Sequence, residues 1–388
     1  MILTLIIALF SLIALMVIHE FGHFIIAKKF GVIVDEFGIG YPPRIFGKKF
    51  GETIYSINLL PLGAFVRIRG EEGLDEKDSQ GAGASVLGLD DYRSFTSLAI
   101  WKRIMIVLGG VIAFWIAAII IFSIVFGMGA DIPIGDQDIS GLTNPQVKII
   151  YVSQNSPAEI SGIKAGDILI EAKTAESEAV KINKISDFQN ITKNNLGKDI
   201  SLTINREGKN LELSLNPRLT WPEGEGPAGV AIERTATLIE KYPLYMAPIK
   251  GAAYTWEITV NAVKGLYQVF ANIFSGKGVP QGAEFAGPLG ITVFLARAMD
   301  YGIGYFLYFI GVISVFVAIF NLFPIPALDG GKFVFLIIEK IRKKPVSAKI
   351  EQNITIIFFI LLITMSIFIT IRFDIPRLTD FIKSSLQK

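Results

Sequence analysis

The 388-residue sequence contains no cysteine and only two histidines. The first absence excludes disulfides and thiolate metal sites together, although it fixes no compartment, because an exported domain folds without disulfides. The second excludes chemistry that needs many imidazoles, that of a di-iron oxidase or desaturase among it. Net charge is scarce as well: 37 Lys and Arg against 35 Asp and Glu leave a formal +2, which makes no case for a nucleic-acid partner. Internal repeats of the kind that build transporters are missing too. What the chain has in quantity is apolar residues, 51% of the total, with a mean hydropathy of +0.51. That is too apolar for a soluble enzyme and too interrupted for a bundle of spans alone, and predicts a membrane protein carrying a water-facing module.

Both histidines fall in His19-Glu20-Phe21-Gly22-His23, inside an apolar run from Ile2 to Ala27. On a helix, residues four apart project from one face, which suits two imidazole nitrogens sharing one metal ion. In this spacing the intervening Glu20 is not a ligand but a base that takes a proton from water on the metal. An ionisable side chain inside a span costs roughly 2.5–3.5 kcal/mol on insertion scales, so three polar groups clustered there imply a shared purpose. With no positive residue before the run and no small-residue cleavage site after it, a removable signal peptide fits poorly.

Hydropathy predicts about four spans: 2–27, 104–128, 303–326 and 354–371. Lys28-Lys29, Lys102-Arg103 and a basic loop from Lys332 to Lys349 mark the cytoplasmic side, which places both termini and the region after Met128 outside. A short polar tail is expected from Pro376. Between the first two spans, Phe37 to Pro43 reads as a glycine and proline loop. The strand-like stretches Thr53–Leu60 and Ala64–Arg69 flank Pro61-Leu62-Gly63, a hairpin signal. An exposed edge in this 37–70 region would pair with an extended substrate segment. Glu71 to Ser85 reads as a flexible linker. Further on, Leu244 to Phe274 is expected as an amphipathic helix lying along the outer face, and Gly287-Pro288-Leu289-Gly290 as a turn toward the bilayer. In the third span, Pro324 and Pro326 break helix hydrogen bonding while Asp329 is still near the membrane. At 1.5 Å per residue, His19 and Asn321 each lie roughly 27 Å along parallel helices, at one depth near the cytoplasmic side.

From Val147 to Pro217 the character is soluble. Ser156-Pro157-Ala158, Gly162-Ile163-Lys164-Ala165-Gly166-Asp167 and the strand after it resemble a PDZ domain of the bacterial protease-associated kind. Such domains bind peptide ends or loops by strand addition. The whole pattern, with His19-Glu20-x-x-His23 in the first span and Asn321-x-x-Pro324-x-x-x-Leu328-Asp329-Gly330 in the third, resembles the site-2 protease family of intramembrane zinc metalloproteases. The resemblance is to the bacterial branch with one PDZ domain.

That resemblance implies a polytopic α-helical membrane protein with a membrane-associated β-hairpin region and one extracytoplasmic α/β PDZ domain. Residues 1–128 and 291–388 would form the protease core, 147–217 the PDZ domain, and 218–290 a linker with the interfacial helix. It implies that His19, His23 and Asp329 ligate one zinc ion with the fourth position left to water, that Glu20 is the general base, and that Asn321 positions the substrate backbone or oxyanion. Two imidazoles and one carboxylate would leave Zn²⁺ with a net +1 charge, suited to acidifying water and polarising a carbonyl. The implied activity is regulated intramembrane proteolysis in the inner (plasma) membrane, on single-span proteins such as anti-sigma factors or remnant signal peptides. The alternative is a catalytically inactive membrane scaffold that binds partners through its PDZ domain. One departure concerns the second span: related chains often carry an Asn early in it, whereas this chain has Gly109-Gly110-Val111-Ile112-Ala113-Phe114.

Overall fold

The computed structural model describes residues 2–71, 91–133, 143–175, 177–206, 208–222, 225–276, 285–299 and 302–386. In chain order the elements are α1 (Ile2–Lys29), β1 (Val34–Phe50), β2 (Thr53–Ile68), α2 (Ile100–Met128), β3 (Ala130–Pro133), β4 (Thr143–Val152), α3 (Pro157–Ile160), β5 (Ile168–Thr174), β6 (Val180–Lys181) and α4 (Ile185–Asn194). There follow β7 (Ile200–Arg206), β8 (Lys209–Leu215), β9 (Val230–Glu240), α5 (Ala247–Phe274), α6 (Pro288–Ala298), α7 (Ile303–Asn321), α8 (Asp329–Arg342), α9 (Ala348–Ile369) and α10 (Ile375–Leu386). They form two compact units, one of Met1–Gly127, Pro243–Val263 and Phe285–Lys388, the other of Met128–Tyr242 and Lys264–Glu284.

In the first unit, α1, α2, α7 and the stretch Ala348–Thr379 are long and apolar enough to cross a membrane. The protein is therefore an integral membrane protein with added β structure. Ala8 and Leu15 of α1, Val111 and Phe114 of α2, Val293 and Ala296 of α6 and Phe306 and Ile310 of α7 share one apolar core. The small helix α6 fits there because Pro288 starts it and Gly287 and Gly290 leave room for the buried carboxylate of Asp374. That carboxylate accepts the Gly287 N–H at 3.1 Å and so satisfies an otherwise orphaned helix-end donor.

Four expectations are corrected here. Phe37 to Pro43 is not a loop but part of β1, where Phe37, Gly38, Ile39 and Tyr41 pair with β2. The chain beyond Pro376 is not a polar tail: α9 passes through a π-helical turn at Thr370–Asp374 into the amphipathic helix α10, and Pro376 stands at its second position, where a missing N–H is tolerated. The basic stretch after Lys332 is mostly the helix α8, not a loop: it runs on to Arg342 and is anchored by the buried Leu336 and by the Arg103–Glu339 and Lys332–Glu71 ion pairs. Pro61-Leu62-Gly63 is not a hairpin turn. The reversal is at Gly51-Glu52, where Phe50 pairs with Thr53. β1 bends at Pro42-Pro43, which lack ladder donors, and Ile39 pairs with both Ala64 and Ile57. At 61–63, β2 thus crosses from one side of β1 to the other, and the two predicted strand stretches pair with β1 instead of with each other. The linker read at Glu71 to Ser85 lies outside the described residues from 72 on.

The second unit holds an antiparallel sheet in the order β3-β9-β4-β5-β7-β8, with β6 beside β5. Alternating residues of its strands, Val147, Ile149, Leu169, Ile200, Leu202 and Ile204, close a core with Phe188 of α4. Ser156 caps α3 by accepting the Glu159 N–H at 3.2 Å. Arg206 grips the buried Asp167 with two bonds of 2.7 and 2.8 Å. The strand β9 lies in the stretch read as a linker, although Val230-Ala231-Ile232-Glu233-Arg234 alternates as a half-buried strand does.

Candidate metal centre

His19 and His23, one turn apart on α1, are each 7% exposed, and Asp329 is the first residue of α8. His19 Nε2 and His23 Nε2 both stand 3.3 Å from Asp329 Oδ2 and 3.3 Å from each other. Donors about 2.0–2.2 Å from a tetrahedral zinc ion are about 3.3–3.6 Å apart, so the triangle has the dimensions of three ligands around one ion. The proton inventory points the same way. His23 Nδ1 is 2.8 Å from the Ile106 carbonyl, which only accepts, so Nδ1 carries the hydrogen and Nε2 presents a lone pair. Asp329 Oδ2 is buried and has no hydrogen-bond partner among the described residues. Electron-rich atoms converging in this way repel one another unless a cation lies between them.

The seat is cut by glycines. A Cβ on Gly22 would fall 2.2 Å from the Gly109 carbonyl oxygen, so α1 and α2 touch through bare backbone. A Cβ on Gly110 would fall 2.3 Å from His23 Nε2 and 2.4 Å from His19 Cε1. Phe114, one turn on, stacks on the His19 ring at 4.6 Å. The second span thus supports the site with absent side chains, one aromatic face and the main-chain carbonyl of Ile106, which orients His23. Neither the carbonyl nor the role of Gly110 was read from the sequence. Two adjacent glycines facing a histidine pair were the available signal.

On the other side, α7 ends at Asn321 and the chain turns through Leu322–Leu328 before α8 begins. Gly330 and Gly331 let α8 start against that turn: Cβ atoms there would lie 2.1 Å from the Phe323 oxygen and 2.3 Å from the Ile325 oxygen. The N-terminal dipole of α8 favours the Asp329 carboxylate. Buried Arg103 of α2 clamps α8 through both oxygens of Glu339, at 3.0 and 2.5 Å, and Lys332 meets Glu71 at 2.7 Å.

Glu20, partly buried, lies within electrostatic reach of His23, His19 and Asp329. The three expected ligands and the expected base are therefore gathered. Asn321 is placed differently. Its side-chain amide donates to the Val317 carbonyl at 3.0 Å, one turn back on its own helix.

The model of peptidase family M50 matches residues 7–365. The chain belongs to that family. A relative from Clostridium perfringens is 31% identical over 94% of this chain and 96% of its own length. Zinc metalloprotease RasP of Geobacillus kaustophilus is 27% identical over 92% of this chain and 94% of its own, and the protein of that name from Shouchella clausii is 29% identical over 94% and 96%. This M50 chain is a zinc metalloprotease, and its donor set of two imidazoles and a carboxylate is one zinc accepts.

Proposed function

We propose that the enzyme cuts the membrane-spanning segments of single-span proteins as a step of regulated intramembrane proteolysis, with His19, His23 and Asp329 holding the zinc ion. The observation that carries the reading is the 3.3 Å triangle built from an apolar helix of spanning length and the restart of a broken one. Held by His19, His23 and Asp329, a zinc ion would supply Lewis acidity for water activation and carbonyl polarisation. Glu20, one residue past His19, takes the proton from the attacking water and returns it to the leaving amine. One amide N–H of Asn321 is committed to Val317, and the other is left for a substrate carbonyl. A helical substrate segment must unwind to expose its peptide bond. The Ala64–Ile68 edge, which leaves Gly63 beside Met16 one turn before His19, offers the extended partner.

Charge placement supports an orientation in the inner (plasma) membrane with both termini outside and the triad near the cytoplasmic face. The second unit we read as an extracytoplasmic PDZ domain. The Ser156-capped helix supports this, as does β9, whose residues 230–235 pair with β4 and, among the described residues, with no strand on the other side. The deciding experiment is cleavage of a single-span test substrate in reconstituted membranes. Wild type should cut it and Glu20→Gln should not, although the variant keeps its zinc. Equal cutting by both would end the proposal.

A further inference from the structure

One stripe of α8 carries four tasks. Asp329, Lys332, Leu336 and Glu339 follow one another at intervals of three, four and three residues, which sets them along one side of a helix. Asp329 belongs to the triad. Leu336 enters the core that holds Val34, Ile68, Ile106 and Val107, with Val66 and Phe333 packed against it. Glu339 takes Arg103 of α2. Lys332, one turn past Asp329, reaches across to Glu71 at 2.7 Å. Glu71 stands three residues beyond the Ala64–Ile68 edge, and its backbone is closely held. Its N–H donates to the Ile68 carbonyl at 3.2 Å across a turn at Gly70, whose φ of +76° suits glycine. Just before the turn, the Arg69 N–H meets the Ile33 carbonyl at 3.0 Å and the Arg69 carbonyl accepts the Phe95 N–H at 2.8 Å. These bonds fasten the sheet to the chain around α1 and α2. Toward α8, the shared apolar cluster holds the sheet down without a preferred direction, whereas the charge-assisted bond from Lys332 has both a direction and a length.

We infer that Glu71 and Lys332 are positioning residues: their ion pair fixes how far the Ala64–Ile68 edge stands from the triad, and with it which peptide bond of the substrate is presented for cleavage. This rests on the edge pairing proposed above. Successive residues of a strand are about 3.3 Å apart, so an edge free to shift by part of that distance would offer a neighbouring carbonyl or none. The Lys332 side chain is 40% exposed, and an ion pair of that kind adds little to stability. The pair therefore serves register rather than folding.

Glu71→Gln and Lys332→Met remove the ion pair and nearly keep the side-chain volumes. The full zinc-loaded chain is assayed in reconstituted membranes on a single-span test substrate. A misplacement of about 1 Å costs about 100-fold in rate, so kcat should fall at least about 10-fold in either variant, with KM within about threefold and zinc content unchanged. Mass analysis of the products should show cuts spread to neighbouring peptide bonds. The double variant should be no worse than either single one, and Lys332→Arg should restore the wild-type kcat and cut site. Wild-type kcat with a single cut site in Glu71→Gln would overturn the inference, and so would zinc lost in step with activity. The edge pairing has a check of its own: a cysteine at Phe65 in the Glu20→Gln chain should cross-link to cysteines placed along the substrate span. No cross-link would end that reading, whereas a cross-link together with wild-type kinetics in Glu71→Gln would leave it standing and end the positioning role alone.

Discussion

Gly110→Ala is the sharpest perturbation available, because it adds one methyl group and nothing else. The new Cβ would stand 2.3 Å from His23 Nε2, 2.4 Å from His19 Cε1 and 2.5 Å from His19 Nδ1. Ordinary heavy-atom contact begins near 3.5 Å, so both rings must retreat by about 1 Å. His23 resists, tied at Nδ1 to Ile106, and His19 lies against Phe114. Ligand distances tolerate about 0.2 Å, so a displacement of that size opens the metal site. Loss of a mere orienting partner weakens metal binding about 10–100-fold, and a direct clash should do at least as much. Overpacking costs the fold about 1–3 kcal/mol, which a membrane core of this size survives. The assay is zinc retained per chain against a graded chelator, with thermal unfolding in detergent alongside. Zinc affinity within about threefold of wild type in a folded Gly110→Ala chain would refute the reasoning.

Asp329→Ala should lose zinc and cleavage together while Glu20→Gln loses cleavage alone, measured by metal analysis of the two purified variants; equal retention would place the third ligand elsewhere. Single cysteines at Ser201 and Ser347, treated with an impermeant thiol reagent on intact cells, should label at Ser201 only, and the reverse pattern would invert the topology. The Asp167 carboxyl, pushed up by burial but held below its usual range by Arg206 and the Lys164 N–H, contributes stability that is full above the unfolded value near 4 and lost as pH falls through the lower folded one. Hydrogen exchange in β5 and β7 should therefore accelerate in acid for wild type, and an Asp167→Asn chain with the same acid response would contradict this.

The strength of periodic and motif signals decided what could be read in advance. Apolar runs of spanning length announce themselves, and so do two histidines four apart, since both facts are local. The pairing of β1 with two separate parts of β2 is not local, and glycine and proline at 61–63 mark a crossover as readily as a turn. β9 was missed for a similar reason: its alternation is plain, but 78 residues separate Val152 from its partner Val230. A domain boundary drawn at 147–217 cuts β4 after Gln146 and leaves out its partner β9. At the site, side chains were legible and backbone was not. Asp329 could be named from its motif, whereas the Ile106 carbonyl has no signature, because any residue placed there would supply it.

That last property bears on how the centre tolerates change. His23 is held by an acceptor that belongs to the main chain, so substituting residue 106 by another amino acid leaves the carbonyl where it is. Random mutation cannot easily remove this contact and can only move it, by altering how closely the two helices approach. The vulnerable information lies in the three glycines that set that distance, positions 22, 109 and 110. Drift in this enzyme is then filtered by volume before chemistry, and a screen for inactive variants should recover added methyl groups along the α1–α2 contact as readily as lost ligands.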